Sequence, residues 1–340
     1  MASKTVLDFE RSIADLDENL SKLREIVADR SNPENTASLP GEIASLEEHR
    51  VAILRELFAR LTPWDKVLLA RHEKRPYTLD YIGNMMTEFE ELHGDRTYSD
   101  DGAIVAGLAR IDDIPIVVVG HQKGRDIKQR QQRNFGYARP EGYRKSGRVM
   151  KLAAKFNLPI VTLIDTPAAS ADVGAEERGI SEAIAHSMYD MSLLPVPIVS
   201  AVIGEGGSGG ALGLAVADRV LMLEHSVYSI IPPEGCAAIL WRDPERKIEA
   251  ASALKLTAQN ALDLGIIEEI VPEPLGGAHR DYVAVAETLR DALVRHLHDL
   301  MGKSGDELVQ LRYQRFRSIG RYIEAPVGGN HNGHKPVGDA

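Results

Sequence analysis

The sequence contains very little cysteine and no long apolar run. Its 340 residues include a single cysteine, Cys236. One thiol cannot form a disulfide within the chain or build a cysteine-cluster zinc site. The first twenty residues are charged and lack the apolar centre of a secretory signal, and no later segment approaches the length of a membrane span. These absences predict a soluble, cytoplasmic protein that does not enter a membrane.

The sequence also has fewer basic residues than acidic ones. The chain has 40 Lys and Arg against 50 Asp and Glu, which gives a formal net charge of −10 at pH 7. A chain with this balance has no general attraction for nucleic acid or anionic lipid, because both are negatively charged. The sequence therefore argues against a nucleic-acid partner. With 44% apolar residues, its length suits one large domain with an accessory one.

The N-terminal part of the chain has the pattern of amphipathic helices. Leucine and valine recur at spacings of four, three and four between residues 16 and 27, with charged residues between them. A second helix is predicted over 42–60, and a third opens with Thr62 as N-cap and Pro63 at the first helical position. The first two helices form either a hairpin within the chain or an arm that docks another chain.

The middle of the chain carries five short β-branched runs, which are typical of strands buried on both faces of a sheet. They are IPIVVVG (114–120), LPIVTLID (158–165), VPIVSAVIG (196–204), RVLMLE (219–224) and VYSII (227–231). The first three begin about forty residues apart, and the sequence between them is mainly helical. The pattern predicts a layered α/β core, with the last two strands forming a pair that stands off the main sheet.

The glycine-rich segment VIGEGGSGGAL (202–212) matches two side-chain motifs. Spaced as G-x-G-x-x-G, its glycines fit a dinucleotide fingerprint, with Glu224 twenty residues beyond the first of them. Spaced as G-x-S-x-G, they place Ser208 in a hydrolase nucleophile elbow. The first motif lacks a crossover helix after Glu224. The second needs a later acid and histidine, for which Asp263 and His279 have the right order but no motif of their own.

A third interpretation of this segment uses the backbone alone. Successive N–H groups at the start of a helix stabilise a developing oxyanion, and glycines let a substrate carbonyl approach them closely. The segment GGAL begins a helix whose dipole points at such a carbonyl, and Ser208 is placed to cap that helix. Tight packing of small residues on the sheet would explain Gly213 but not the whole run.

Longer segments identify a resemblance that covers roughly residues 5–322. In chain order they are RHEKRPYTLDYI (71–82), LHGDRTYSDD (92–101), HQKGRDIKQRQQRNFG (121–136), RPEGYRK (139–145), VGAEERGISEAIA (173–185), VIGEGGSGGAL (202–212), SIIPPEGCAAILW (229–241), VPEPLGGAHR (271–280) and RYQRFRSIG (312–320). Together they make the chain similar to the carboxyltransferase alpha-subunit family of bacterial multisubunit acetyl-CoA carboxylase. The resemblance implies a crotonase-like α/β fold, a spiral of repeated β-β-α units preceded by an N-terminal helical segment.

The resemblance and the changes along the sequence together predict four parts. They are an N-terminal helical region with a partner-docking role (1–90), a crotonase-like carboxyltransferase core (91–275), C-terminal helices (276–325) and a disordered tail (326–340).

The resemblance implies a carboxyltransferase that moves a carboxyl group from carboxybiotin to acetyl-CoA, giving malonyl-CoA in the first committed step of fatty acid biosynthesis. The biotin is carried by a separate biotin carboxyl carrier protein and is loaded by a biotin carboxylase. Activity requires a zinc-containing beta subunit, in an alpha2-beta2 heterotetramer, and this chain itself holds no metal. Two oxyanion holes suffice for the reaction, so no protein base is needed.

The resemblance also implies which residues form the site. By position in the family's glycine-rich turn, this chain's oxyanion donors are implied to be those of Gly206, Gly207, Gly209 and Gly210. A run of cations from Lys123 to Lys145 is either a solvated face, a nucleic-acid surface that uses Phe135, Tyr137 and Tyr143, or a site for anions. We favour anion binding to CoA phosphates or the moving carboxyl group. Within the run we assign Lys123, Arg125 and Arg133 to substrate binding.

One loop departs from the family pattern. Where the family reads D-T-P-G-A-Y-P-G, this chain has DTPAASAD from Asp165 to Asp172. Ala168, Ala169 and Ser170 are predicted to contact substrate there, with an open space near Ser170 and an unfavourable negative charge at Asp172. The change leaves an alternative function open, in which the chain is a non-catalytic or retasked paralogue that acts on another acyl-CoA.

Overall fold

The computed structural model describes residues 6–28 and 39–320, and every structural statement below concerns these residues. The predicted tail over 326–340 lies outside them. Within the described ranges, no helix combines the length and apolar character that a membrane crossing requires.

The described chain folds into helices and strands that alternate through its middle. The helices are α1 (Arg11–Ala28), α2 (Leu39–Phe58), α3 (Pro63–Ala70), α4 (Thr78–Met85), α5 (Ile127–Gln132), α6 (Pro140–Phe156), α7 (Val173–Glu177), α8 (Ile180–Leu193), α9 (Ser208–Leu212), α10 (Pro233–Trp241), α11 (Lys247–Ala253), α12 (Ala258–Asp263), α13 (Tyr282–Met301) and α14 (Gly305–Ser318). The strands are β1 (Thr87–Glu91), β2 (Ile104–Ile111), β3 (Ile114–His121), β4 (Ile160–Thr166), β5 (Ile198–Gly207), β6 (Arg219–Leu223), β7 (Val227–Ser229) and β8 (Glu269–Val271).

All eight strands belong to one sheet, in the order β1-β2-β3-β4-β5-β6-β8, with β7 paired to β5. The first three strands are antiparallel, and the pairs from β3 onward are parallel. The five predicted strands are confirmed, but the expected strand pair off the main sheet is wrong. The β6 strand lies beside β5, with Val199 opposite Arg219 and Val202 opposite Met222. The β7 strand instead pairs with the last three residues of β5.

The sheet is covered on both faces, as its unbroken apolar strands predict. On one face, Val117 and Val119 of β3 pack with Met150 of α6 and with buried residues of α8. On the other face, Val118 packs in a second cluster with Leu293 of α13 and with buried residues of α4. Alternate residues of one strand therefore serve two separate cores. The carboxyl ends of the parallel strands remain free to build a site.

The two N-terminal helices form a hairpin within the chain. Arg24 of α1 pairs with Glu47 of α2 at 2.5 Å, and Arg50 of α2 pairs with Asp17 of α1. Arg280, just before α13, then ties α1 to the core by bonding Asp17 at 3.0 Å. The docking role proposed for the N-terminal region stays a prediction, because no partner chain is present.

The third helix begins as predicted. The Thr62 hydroxyl accepts a hydrogen bond from the Asp65 backbone N–H at 3.2 Å, and the Asp65 carboxylate accepts one from the Thr62 N–H at 2.8 Å. This reciprocal capping satisfies two donors at the start of the helix. Pro63 stands at the first helical position, where it has no N–H to leave unpaired.

A fully buried arginine fastens the C-terminal helix α14 to the sheet. The Arg312 guanidinium bonds both carboxylate oxygens of Asp218, at 3.0 and 2.8 Å, directly before β6. It also donates to the carbonyl oxygens of Met191, Leu194 and Val196, at 2.6 to 2.9 Å. Because both charged groups are buried, the loss of either leaves the other without an opposite charge in the interior.

We therefore predict that Arg312→Met lowers the free energy of unfolding by about 3–5 kcal/mol, the range for removing one partner of a buried ion pair. Urea unfolding followed by circular dichroism measures the change. Arg290→Met is the matched control, since Arg290 pairs with Asp291 at the surface and such pairs contribute about 0–1 kcal/mol. Equal losses of unfolding free energy in the two variants would contradict the stabilising role described for Arg312.

Candidate functional site

The glycine turn, defined as residues 204–213, lies at the carboxyl end of β5. The strand runs into the single turn of helix α9, and Gly207 is the N-cap residue. Ser208 is therefore the first helical residue, and the expectation that its side chain caps the helix is wrong. Its φ of +50° is in the left-handed region, which non-glycine residues adopt infrequently. As at the start of any helix, the first N–H groups have no partner within the helix.

Close packing within the chain, against backbone and side chains, explains most of the glycines in this turn. A Cβ at Gly207 would overlap the Pro167 carbonyl oxygen, and one at Gly210 would lie 2.6 Å from the backbone of Ala168. At Gly206 a Cβ would lie 2.8 Å from the Tyr228 ring. Packing therefore explains more of the run than Gly213, although, as expected, it does not explain the whole run. The loop after β4 presses against the turn and leaves no room for side chains there.

Gly209 differs from its neighbours. The nearest atom to a Cβ at this position is Ile184 Cδ1, at 3.7 Å, which is ordinary van der Waals contact. Packing within the described chain therefore does not demand glycine at residue 209. Of the four glycines assigned to oxyanion binding, this is the one whose neighbours would accept a Cβ, and close approach by a bound molecule stays a prediction for it.

The structure does not bring together the residues that the two side-chain motifs need. Glu224 directly follows β6, and β7 begins three residues later, so the crossover helix of a dinucleotide-binding unit is missing at this point. His279 stacks on His72 with ring centroids 4.1 Å apart, while Asp263 accepts a hydrogen bond from Gln259 at 2.8 Å. The histidine and the acid that a hydrolase would require therefore contact these partners and not Ser208.

Buried charges hold the strand ends below the turn. Lys123 Nζ lies 2.7 Å from Asp165 Oδ1 and 3.1 Å from Glu205 Oε2. Asp165 Oδ1 also accepts the Glu205 backbone N–H at 2.9 Å. Arg71, the C-cap residue of α3, bonds the same Glu205 carboxylate at 2.6 Å and Glu234 of α10 at 2.6 Å. The network joins β4, β5, two helices and the segment after β3.

The pKa values in this network favour charged groups at neutral pH for Lys123 and Glu205. Burial opposes the charge on Lys123, but Asp165 and Glu205 raise the pKa of its ammonium group above the usual range. Burial likewise opposes ionisation of Glu205, yet Lys123 and Arg71 hold its pKa below the ordinary value. For Asp165, burial is the larger effect and raises the pKa.

A neutral imidazole lies beside the turn. His121 ends β3, is fully buried, and has no hydrogen-bond partner within reach of either ring nitrogen in the described structure. Burial, reinforced by the nearby Lys123 charge, lowers the pKa of His121 to about 3, while the Gly210 backbone acts in the opposite direction. His121 therefore carries no charge at neutral pH. Sequence analysis missed this residue, although it directly precedes the cationic segment.

The three cations assigned to substrate binding have partners within the chain. Lys123 is held by Asp165 and Glu205, as described above. Arg125 pairs with Asp80, donates to the Glu73 carbonyl at 2.9 Å and lies 4.5 Å over the Tyr77 ring. Arg133 donates to the Gly102 carbonyl at 2.9 Å. Their contact with substrate stays a prediction, and it requires an anion to share or displace these partners.

The rest of the cationic segment does not form a uniform solvated face. Lys145 is fully buried and bonds Asp100 at 2.6 Å, and Arg144 bonds Asp95 at 3.0 Å. Tyr143 is also buried, so the nucleic-acid interpretation loses one of its three aromatic side chains. The cations of this segment mainly form ion pairs with acidic residues of the same chain.

The altered loop is closed by its own hydrogen bonds. Ser170 is buried, and its hydroxyl donates to the Asp172 carboxylate at 2.8 Å, so the open space expected near Ser170 is not there. Asp172 is the N-cap of α7, accepting the Ala175 N–H at 2.8 Å, and lies 3.3 Å from Arg139. The Ser170 hydrogen bond, with this cap, lowers the pKa of Asp172. The charge predicted to oppose substrate thus has partners of its own.

One cluster has ligand types suited to a metal ion, away from the glycine turn. Single donor atoms of Glu10, His72 and His279 lie within 4.8 Å of one another. Arg280 already bonds the Glu10 carboxylate at 2.9 Å, and His72 Nδ1 accepts the Lys74 N–H at 3.2 Å. The guanidinium supplies the positive charge that a cation would bring. We interpret the cluster as a set of structural contacts that attach α1 to the core.

The capping role of Asp172 gives a prediction for stability. Asp172→Ala should lower the free energy of unfolding by about 1 kcal/mol, because the N-cap acceptor is lost. Asp172→Asn keeps the cap and removes only a half-exposed ion pair, so its effect should stay under about 0.5 kcal/mol. Thermal and urea unfolding of both variants measure the difference. Equal destabilisation by Ala and Asn would show that charge, and not capping, is what Asp172 contributes.

The fold is shared with solved carboxyltransferase structures. Transcarboxylase 12S aligns with a TM-score of 0.54 and 18% identity over 77% of this chain, which spans 46% of that longer chain. A Pseudomonas malonate decarboxylase hetero-tetramer aligns with the same TM-score and identity, covering 64% of this chain and 88% of the other. At this identity the likeness concerns the fold alone. It confirms the predicted crotonase-like α/β architecture.

Sequence comparison gives the family. The model for acetyl co-enzyme A carboxylase carboxyltransferase-like proteins matches residues 6–320. The acetyl-coenzyme A carboxylase carboxyl transferase subunit alpha of Geobacter metallireducens is 50% identical over 95% of this chain and 100% of its own length. The Azotobacter vinelandii protein of the same description is 51% identical over 93% and 98%. The chain therefore belongs to the family of acetyl-CoA carboxylase carboxyltransferase alpha subunits.

Proposed function

We propose that this chain is the alpha half of a carboxyltransferase that carries a carboxyl group from carboxybiotin to acetyl-CoA, yielding malonyl-CoA for fatty acid biosynthesis. The observation that carries the proposal is the match of the family model over residues 6–320, combined with the glycine turn that this matched region places at the carboxyl end of β5. Its relatives at 50% identity are carboxyl transferase alpha subunits along their whole length.

The backbone of the glycine turn supplies the chemistry of this half-site. In the proposed reaction the acetyl methyl group loses a proton to the biotin nitrogen that releases the carboxyl group, and the methyl carbon forms the new bond to that carboxyl carbon. Negative charge develops on carbonyl oxygens, and N–H groups fixed at the start of a helix stabilise such charge. Gly206, Gly207, Gly209 and Gly210 carry these donors. No side-chain base is required in this chain.

Carboxybiotin is a substrate of this half-site, because it arrives on a separate biotin carboxyl carrier protein after loading by a biotin carboxylase. The described turn fits such a substrate in one respect. Its first N–H groups are not used within the helix, and a Cβ at Gly209 would meet no atom closer than Ile184 Cδ1 at 3.7 Å. Lys123, Arg125 and Arg133 are proposed to attract anionic parts of the substrates once their internal partners are shared.

The second half of the site belongs to a partner in this proposal. A zinc-containing beta subunit supplies the other oxyanion hole, and the two chains form an alpha2-beta2 heterotetramer. The malonate decarboxylase neighbour is itself a hetero-tetramer, and the relatives are alpha subunits by description. Both observations support a partner-dependent enzyme.

The altered loop supports a second candidate, a retasked paralogue that acts on another acyl-CoA. The loop that contains Ala168, Ala169 and Ser170 packs its backbone against the glycine turn. Within this loop the Ser170 hydroxyl is bonded to the Asp172 carboxylate. A side chain that is buried by its own loop cannot contact acetyl-CoA unless the loop opens. The choice of acyl-CoA therefore depends on whether this loop moves.

The central experiment mixes this chain with its beta subunit and follows malonyl-CoA formation from carboxybiotin and acetyl-CoA. We expect turnover by the pair and almost none by this chain alone, because half of the donors lie on the other polypeptide. Propionyl-CoA and butyryl-CoA are run in parallel. An assembled pair that prefers either over acetyl-CoA would favour the retasked paralogue, and an assembled pair that carboxylates none of them would refute carboxyl transfer.

Two substitutions in the turn separate backbone from side-chain chemistry. Gly210→Ala places a Cβ 2.6 Å from the Ala168 backbone, so the turn must shift. We expect kcat to fall by roughly a hundredfold, the effect of losing one oxyanion donor. Ser208→Ala should retain activity within about threefold, since its hydroxyl caps nothing. Loss of turnover in a folded, assembled Ser208→Ala variant would restore the nucleophile interpretation.

A further inference from the structure

A buried tyrosine of α6 contacts the glycine turn through both its ring and its hydroxyl group. Tyr143 is 1% exposed, and its ring packs so tightly on Gly213 that a Cβ there would lie 2.6 Å from the ring. Its hydroxyl donates to the Gly210 carbonyl oxygen at 3.2 Å. Burial raises the pKa of Tyr143 far above its ordinary value, so the hydroxyl keeps its proton and remains a donor.

The Gly210 carbonyl needs this hydroxyl because α9 does not continue. In a longer α-helix the Leu214 N–H would bond Gly210. Here the Leu214 N–H donates to the Ala211 carbonyl at 3.1 Å, while the Gly213 N–H bonds Gly209 at 3.1 Å. The Gly210 carbonyl is left at a buried helix end, where an unpaired acceptor is unfavourable.

The neighbouring His121 does not replace the tyrosine. Its ring lies close enough to the Gly210 backbone to affect the pKa of the imidazole, but neither ring nitrogen makes a hydrogen bond of acceptable geometry in the described structure. The Tyr143 hydroxyl is thus the side-chain donor that the structure places on this carbonyl.

We propose that Tyr143 is a positioning residue for the glycine turn, and that its hydroxyl aims the oxyanion donors by fixing the Gly210 peptide. The Gly210 carbonyl shares its planar peptide with the Ala211 N–H, so fixing this carbonyl orients that N–H directly. It also restrains the backbone rotation of Gly210, to which the assigned donors of Gly209 and Gly210 are joined. Because α9 spans only Ser208–Leu212, rotation of one peptide shifts the rest of the turn. Donors stabilise an oxyanion only when they point at it. The catalytic part of this inference rests on the proposed carboxyl transfer.

The test uses Tyr143→Phe, which removes one oxygen and keeps the ring on Gly213. Tyr81→Phe is the matched control, because the Tyr81 hydroxyl is equally buried but has no hydrogen-bond partner and lies in the cluster on the opposite face of the sheet. Both variants are assembled with the beta subunit. Amide hydrogen exchange of residues 205–214 and steady-state kinetics with acetyl-CoA are then measured, with rates normalised to assembled complex.

We expect Tyr143→Phe to speed exchange across residues 205–214 and to lower kcat about tenfold, while KM for acetyl-CoA stays within twofold. Tyr81→Phe should change neither quantity. Unchanged exchange in Tyr143→Phe would overturn the proposal, whatever the activity. Faster exchange with unchanged kcat, or a kcat loss that Tyr81→Phe shares, would also overturn it. An inactive wild-type pair counts against the proposed function instead, and the exchange rates alone then decide whether Tyr143 holds the turn.

Discussion

The site depends on one buried lysine that joins three neighbouring strand ends. Lys123 follows β3, and its ammonium group lies between Asp165 of β4 and Glu205 of β5. Parallel strands bring their carboxyl ends to the same edge of a sheet, where acidic side chains would repel one another without a cation. With Lys123 in place, Asp165 can also accept the Glu205 backbone N–H, which fixes the path of β5 just before the glycine turn. Removal of the lysine would leave two buried carboxylates facing each other, a much larger penalty than the loss of a surface charge.

The close contact between the turn and the loop after β4 follows from this arrangement. Once Asp165 and Glu205 are held together, Pro167 and Ala168 necessarily lie against Gly207 and Gly210. The backbone then packs on backbone without intervening side chains, which leaves little freedom for the turn to move. Rigidity of this kind has a catalytic consequence, because donors that are already oriented need no reorganisation when charge develops.

Much of the fold could be predicted from the sequence, since the three central strands are unbroken β-branched runs and the Thr62 cap depends on residues three positions apart. Other features depend on contacts between distant residues. Strand β1, with sequence TEFEE, has no apolar pattern and forms because β2 offers an antiparallel edge. The cationic segment predicts charge but not its partners: Arg125 meets Asp80, which lies 45 residues earlier. Ser208 has the composition of a cap, yet the chain path makes it the first helical residue.

The glycine turn shows why a packing explanation and a catalytic one need not compete. Three of the four glycines assigned to oxyanion binding are required by contacts within the chain, and Gly209 alone is not. If packing were the whole reason for the turn, a side chain at residue 209 would be accommodated and would add contact with Ile184. If substrate approach were the whole reason, Gly207 would have no need to fit beneath Pro167. In the proposed function the two requirements act on neighbouring residues of one short turn. The packed glycines fix the backbone, and Gly209 would leave the surface clear where the N–H groups of α9 begin.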